Sequence, residues 1–182
     1  MNKKYRFTGK EIEHFGRKLK QIERIVDGLL GGYIESENNL DHSDNAWVSG
    51  NARVSDNARV SDNAWVYGNA WVSDNAWVSG NARVYGNARV SDNAWVSGNA
   101  WVYGNTWVSG SKWESSPMQI QGTKHFVNEC KKGFIKIGCY ELKISEWVKR
   151  YKEIGKNNGY SEKQIQEYGL YIELIKNLQK LK

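Results

Sequence analysis

Cysteine, proline and histidine are all scarce in this chain, and each scarcity removes a class of explanation. Two cysteines among 182 residues, Cys130 and Cys139, are too few for a disulfide framework. Met1-Asn2-Lys3-Lys4 leads into polar sequence rather than a secretory leader, so reduced thiols are expected. The two flank a Lys131-Lys132-Gly133 turn, where they could face each other across a hairpin as buried or half-buried groups. Zinc would need two further ligands, and only His125 is near in sequence. No apolar run is long enough to cross a bilayer. The sequence also carries no glycine-rich phosphate loop, no metal-spaced cluster and no nucleophile motif, so neither a metal nor a cofactor is expected.

What the chain has instead is repetition. From Ser43 to Val108 one hexapeptide is written eleven times without an insertion, from Ser43-Asp44-Asn45-Ala46-Trp47-Val48 to Tyr103-Gly104-Asn105-Thr106-Trp107-Val108. A fixed short period is the mark of a parallel β-solenoid. Alternate residues of a strand point to opposite faces, so Ala46 and Val48 share one face while Trp47 and Ser49 share the other. The slot between Ala and Val holds Trp at 47, 65, 71, 77, 95, 101 and 107, but Arg at 53, 59, 83 and 89. A position that accepts Arg with no acid nearby cannot be the core. Ala and Val therefore line a narrow interior, with Trp, Arg, Ser and Tyr outside. Asp or Gly followed by Asn forms the corner, where positive φ is tolerated.

A second period of eighteen residues is superposed. Tyr67, Tyr85 and Tyr103 replace Ser at that spacing, and Asp56, Asp74 and Asp92 repeat with it, as do Gly50, Gly68, Gly86 and Gly104. Three hexads per turn predict a three-sided coil. One side then carries Trp47, Trp65, Arg83 and Trp101 beside Ser49, Tyr67, Tyr85 and Tyr103. A second carries Arg53, Trp71, Arg89 and Trp107, and a third Arg59, Trp77, Trp95 and Trp113. Only the first has both columns aromatic, so Trp47, Trp65, Tyr67, Arg83, Tyr85, Trp101 and Tyr103 are the candidate interface. The plain explanation is a stacking ladder with cation–π contacts. An exposed patch of several rings more often marks contact with another subunit or with the chain's own tail. The Asp column needs no metal, because aspartate at a turn bonds its own backbone.

The pattern Val-x-Gly/Asp-Asn-Ala-x resembles the left-handed parallel β-helix of hexapeptide-repeat proteins. Gly31-Gly32-Tyr33-Ile34-Glu35-Ser36-Glu37-Asn38-Asn39-Leu40 leading into the repeats, and Ile135-Lys136-Ile137-Gly138-Cys139 with Glu146-Trp147 in the tail, resemble bacteriophage and prophage proteins. The resemblance implies a phage source and a cytoplasmic setting in the host cell. Hexapeptide solenoids also include acyltransferases, which place a histidine base at a subunit cleft. Here His14, His42 and His125 all lie outside the repeats, and none has a visible partner. A non-catalytic protein is the expected outcome.

The expected organisation is a cap over residues 1–30, the β-helix over 31–114 and an α+β module over 115–182. The first thirty residues read as a short strand, where Tyr5 and Phe7 alternate with charge, followed by mixed structure in which Leu19, Ile22, Ile25 and Val26 fit one strand or a short amphipathic helix. Extrapolating the hexads puts Ile34 and Leu40 in the Ala slot and Ser36 and His42 in the Val slot. Ser115-Ser116-Pro117 ends the repeats. The tail then predicts strands at 118–120, 125–130 and 134–139 and a helix capped by Ser145. A second helix is capped by Ser161 and Gln164 and carries Ile165, Tyr168, Ile172 and Ile175 on one stripe. The net charge of +6 lies in residues 112–182, where fourteen basic groups face eight acidic ones. A solvated helix surface accounts for that excess better than nucleic-acid binding. Function then falls to a binding protein, in its specific form one that inhibits host defence by capturing a host protein or a nucleotide signal, or to an oligomeric structural component.

Overall fold

The computed structural model describes residues 3–181. They form two compact units that divide after Ser116.

The first unit is a three-sided parallel β-solenoid. Two-residue strands stack in three sheets with an eighteen-residue register: Trp47↔Trp65↔Arg83↔Trp101 on the first side, Arg53↔Trp71↔Arg89↔Trp107 on the second, Arg59↔Trp77↔Trp95 on the third. The Ala and Val columns from Ala46 to Val102 are buried to within about a percent of completeness, so the inward assignment holds. Corners follow from the same hexad. Asp44, Asp56, Asp62, Asp74 and Asp92, and Gly at the equivalent positions, all take positive φ. Each is the second residue of a tight turn, closed by bonds such as Ala52 N–H to Ser49 O at 3.3 Å. The next residue is always Asn, and its amide donates to the Asn one coil on, as Asn45 does to Asn63 at 3.0 Å. Each corner therefore carries an amide ladder.

The ends depart from the extrapolated register. Ile34 pairs with Val54 and Leu40 bridges to Val60, so both sit in the Val columns, not the Ala columns. Two extra residues before the first regular hexad produce the shift, and side-chain volume explains it. The Ala column runs beside the backbone of the corner and has no room for a branched side chain. At Gly32 even a Cβ would stand 2.7 Å from Ala52 O. Ser36 and His42 consequently lie outside the core: Ser36 precedes a short 3-10 turn at Glu37–Asn39, and His42 stacks on Tyr5 at 4.3 Å. At the other end the chain is one residue short. Val96 pairs with Trp113 and Trp95 with Lys112. Trp113 is thus the buried plug of the last coil, and Lys112 takes the outward place expected for it.

The first thirty residues hold the expected strand through Tyr5 and Phe7 and, through Leu19 and Ile22, a second strand rather than a helix. β1 (Tyr5–His14) and β2 (Arg17–Arg24) form an antiparallel hairpin, and β2 pairs with β3 (Leu30–Ile34), which joins the second side of the solenoid. The hairpin extends that sheet and covers the edge that a first coil would leave unpaired. Leu19 and Ile22 face inward from it, whereas Ile25 and Val26 are exposed. Buried Tyr5 donates its hydroxyl to Leu40 O at 3.0 Å, and Lys4 Nζ donates to Ala46 O at 2.8 Å. These bonds satisfy carbonyls that have no preceding coil.

The second unit is a four-stranded antiparallel sheet with two helices. Three strands, Gln119–Gln121, Phe126–Lys131 and Phe134–Ile137, match expectation; the fourth, Tyr140–Lys143, was not anticipated. Helix α1 (Ile144–Asn157) begins after Lys143, so Ser145 lies inside its first turn rather than capping it. Helix α2 (Glu162–Gln179) has the expected capping box, with Ser161 Oγ accepting from Gln164 N–H at 3.2 Å. Trp147, Tyr168, Ile172 and Ile175 form the core with Val127 and Ile135.

The cysteines do not face each other. Cys130 is buried, Cys139 is exposed in the turn before the last strand, and both are free. Burial pushes the Cys130 thiol up to about 12, while Cys139 meets solvent. A colorimetric thiol reagent at pH 8 should therefore titrate one thiol rapidly in the native protein and both in denaturant. Equal native rates would contradict the burial of Cys130.

Candidate functional site

The outward columns differ from side to side in how their rings are held. On the second and third sides the serine following each valine lies beside the indole of the next coil. Trp77 Nε1 donates to Ser61 Oγ at 2.9 Å, Trp95 to Ser79 at 3.0 Å, Trp107 to Ser91 at 3.2 Å and Trp71 to Ser55 at 3.4 Å. Those rings also stack: Trp77 on Trp95 at 5.0 Å, with Lys112 Nζ 4.4 Å over Trp95. Arg89 lies between Trp71 and Trp107, 5.5 Å from each. Phe15, at the tip of the β1–β2 hairpin, covers Trp71 at 5.1 Å. Trp77 and Trp107 keep 41% and 38% exposure, but their indole N–H groups are bonded between coils.

The first side is built differently. Tyr67 and Tyr85 occupy the serine positions one coil before Arg83 and Trp101, so a ring stands where the acceptor for the Trp101 indole would be; the residue in that place for Trp65 is still Ser49. Tyr67, Tyr85 and Tyr103 stack in sequence at 4.9 and 5.5 Å, and Tyr85 meets Trp101 edge-on at 6.3 Å. Burial between its neighbours raises the Tyr85 hydroxyl above its ordinary value. Trp65 and Trp101 remain 49% and 45% exposed. Among the described residues the Trp65 indole N–H has no protein acceptor. Arg83 sits between these rings, 6.0 Å from Trp65 and 5.3 Å from Trp101, and makes no ion pair among the described residues.

Six of the seven candidate residues are thus brought together on one accessible strip. Trp47 is the exception: it is only 6% exposed, because the N-terminal hairpin closes over it and Arg24 lies 5.6 Å above its ring. Sequence periodicity cannot show a lid that arrives from outside the period. Beside the strip runs an open trough of about 530 Å³ between the rings and the corner ladder, lined by Asn63, Asn81 and Asn99 with Trp65, Arg83 and Trp101. These asparagines read as corner residues alone. Their 18-residue spacing is the signal that places them alongside the rings.

Elsewhere the structure offers little chemistry. His14 lies against Trp71 at 4.9 Å, and burial together with Arg53 and Arg89 lowers its basicity. His42 Nδ1 accepts from Lys4 N–H at 3.2 Å, and His125 packs near Tyr160 at 5.9 Å. Each histidine is engaged by the packing around it. In the second unit, Cys139, Tyr140, Trp147 and Tyr160 help to line a cavity of about 40 Å³, room for a few waters. Among the described residues no cluster of His, Cys, Asp or Glu could hold a metal, and no helix is long and apolar enough to cross a membrane. The Asp column bonds backbone instead, as Asp74 Oδ2 does in accepting from Asp92 N–H at 3.2 Å.

No curated protein matches the chain. Five stretches of the solenoid, residues 46–62, 52–68, 64–80, 82–98 and 94–110, match the YdcK β-solenoid repeat family, each stretch being about one coil long. With three stacked parallel sheets and a buried Ala/Val interior, the chain is a β-solenoid repeat protein, its repeats similar to those of that family.

Proposed function

We propose that the protein is a non-catalytic binding protein whose partner docks on the first side of the solenoid. The observation that carries this reading is the difference between the sides. Two sides satisfy their indoles internally through serine. The first carries tyrosine at three of its four serine places, leaves Trp65 and Trp101 half exposed and sets between them a guanidinium with no ion pair among the described residues. Trp, Tyr and Arg are the residues in which binding energy concentrates at interfaces. An acyltransferase would need a positioned base, and the engagement of all three histidines in packing argues against one. A homo-oligomeric structural component remains the second reading, favoured by the same ring ladder, which a second copy could bury.

The resemblance to phage proteins motivates a finer form: a phage-encoded accessory protein in the host cytoplasm that neutralises a defence component. Its target would be a host protein or a nucleotide signal.

Changing Tyr67, Tyr85 and Tyr103 together to Ser should leave the fold intact, since serine already occupies the equivalent places on the other sides. The change converts the first side into a ladder like its neighbours. Native mass spectrometry of wild type and variant recovered from the host lysate makes the test. A captured partner mass that disappears in the variant supports the reading. Identical masses in both would show that the rings serve only the ladder. Wild-type assembly without a captured partner, lost in the variant, would select the structural alternative.

A further inference from the structure

We propose that the trough on the first side binds an extended β-linked glycan carrying a carboxylate, with Trp65 and Trp101 against sugar rings and Arg83 on the acid. This rests on the reading of that side as the binding surface and names its ligand class.

Three features of the trough select this chemistry. The first is the amide ladder. Asn63 donates to Asn81 at 3.4 Å and Asn81 to Asn99 at 3.2 Å, so an amide inside the ladder spends one N–H and one lone pair on its neighbours. One donor and one acceptor remain per coil, side by side. Sugar hydroxyls are donor and acceptor at once and use both valences. A phosphodiester offers acceptors only. The second feature is the step. Coils repeat at about 4.8 Å, close to the advance of one sugar in an extended β-linked chain, whereas a peptide strand advances about 3.4 Å per residue and would drift out of phase. The third is charge. The trough holds one cation, Arg83, among neutral amides and indoles. Nucleic-acid binding is driven by many cations on many phosphates. A single guanidinium, held between two indoles and without a carboxylate partner among the described residues, suits a single carboxylate on the chain. Trp65 and Trp101 are two coils apart, about 10 Å, and so are placed for alternate sugars of the same chain.

The test titrates the intact protein by calorimetry with a hyaluronan hexasaccharide, which carries a glucuronate in every disaccharide. The comparison ligands are chitohexaose, which lacks the carboxylate, and a thymidine hexanucleotide. Binding of hyaluronan is expected, with chitohexaose about tenfold weaker and Arg83→Gln costing about tenfold. Trp65→Ala and Trp101→Ala should each weaken binding by a similar factor, while Trp77→Ala on the third side should leave it unchanged. Circular dichroism checks that the variants fold. No binding of hyaluronan, or binding indifferent to Arg83→Gln, overturns the proposal. If the oligonucleotide alone binds, and loses affinity in the Trp65 and Trp101 variants, the occupant is nucleic acid; the glycan assignment fails and the binding side stands. If no ligand binds and the triple tyrosine variant also changes nothing, both readings fail together.

Discussion

Val72→Asp should abolish cooperative folding of the solenoid. Val72 is fully buried on the second side, paired between Val54 and Val90, with alanine columns on either flank. A carboxylate there has methyl groups around it and no donor. Leaving a charge buried and unpaired costs several kcal/mol, and the lost valine burial adds about 1.5–3 kcal/mol. Together these rival the whole stability of an ordinary domain, about 5–15 kcal/mol. Geometry aggravates the loss. In a solenoid each coil touches only its neighbours, so a breach in the middle leaves two stacks, each with one uncovered end. Far-UV circular dichroism and a thermal melt decide the matter. A native spectrum with an unchanged midpoint would refute the inward assignment of the valine column.

Trp113→Ala should be nearly as damaging, although Trp113 lies at the last coil. Its ring is 3% exposed and closes the column that runs through Val96 and Val78. Removing a buried tryptophan costs about 3–5 kcal/mol, and here it opens the core at its end, where no further coil can collapse onto it. The melting midpoint should fall by roughly 10–20 °C. Lys112→Ala is the control. Lys112 occupies the outward column over Trp95, and an exposed cation–π contact is worth about 0.5–1 kcal/mol. If the two variants melt alike, Trp113 is not the plug.

These residues also show what a repeat reveals and what it conceals. The interior was plain because Ala and Val never exchange places with Arg over eleven hexads, and only a dry column and a wet one explain that constraint. The three sides followed from the eighteen-residue recurrence of tyrosine. Extrapolation failed where the chain stops counting in sixes. Two residues too many before Ala46 and one too few before Trp113 each move a bulky side chain from one column to another. The deciding quantity is then volume rather than period. Ile34, Leu40 and Trp113 go where space exists. The N-terminal hairpin was legible only in part: its first strand shows in Tyr5 and Phe7, while Leu19 to Val26 fits strand or helix alike. Most outward positions of β1 are charged or polar, so its apolar alternation is carried by Tyr5, Phe7 and Ile12 alone. The burial of Trp47 depended on that hairpin and was hidden with it. On the candidate surface, the rings could be assigned to one side by arithmetic. The trough beside them could not, because it is made by asparagines whose partners lie eighteen residues away.

The asparagine ladders carry a last implication. Within the middle coils each corner amide meets the same amide one coil above and below, and each valine meets a valine. The middle of the rod therefore cannot distinguish one storey from the next, and a chain slipped by a whole coil would satisfy nearly the same bonds. Registry has to be imposed from the two termini of the stack, where Ile34 and Leu40 at one end and Trp113 at the other fit nowhere else. The rod is measured by its end pieces, as a ruler is by its edges, and its length is free to change by whole storeys without disturbing either one.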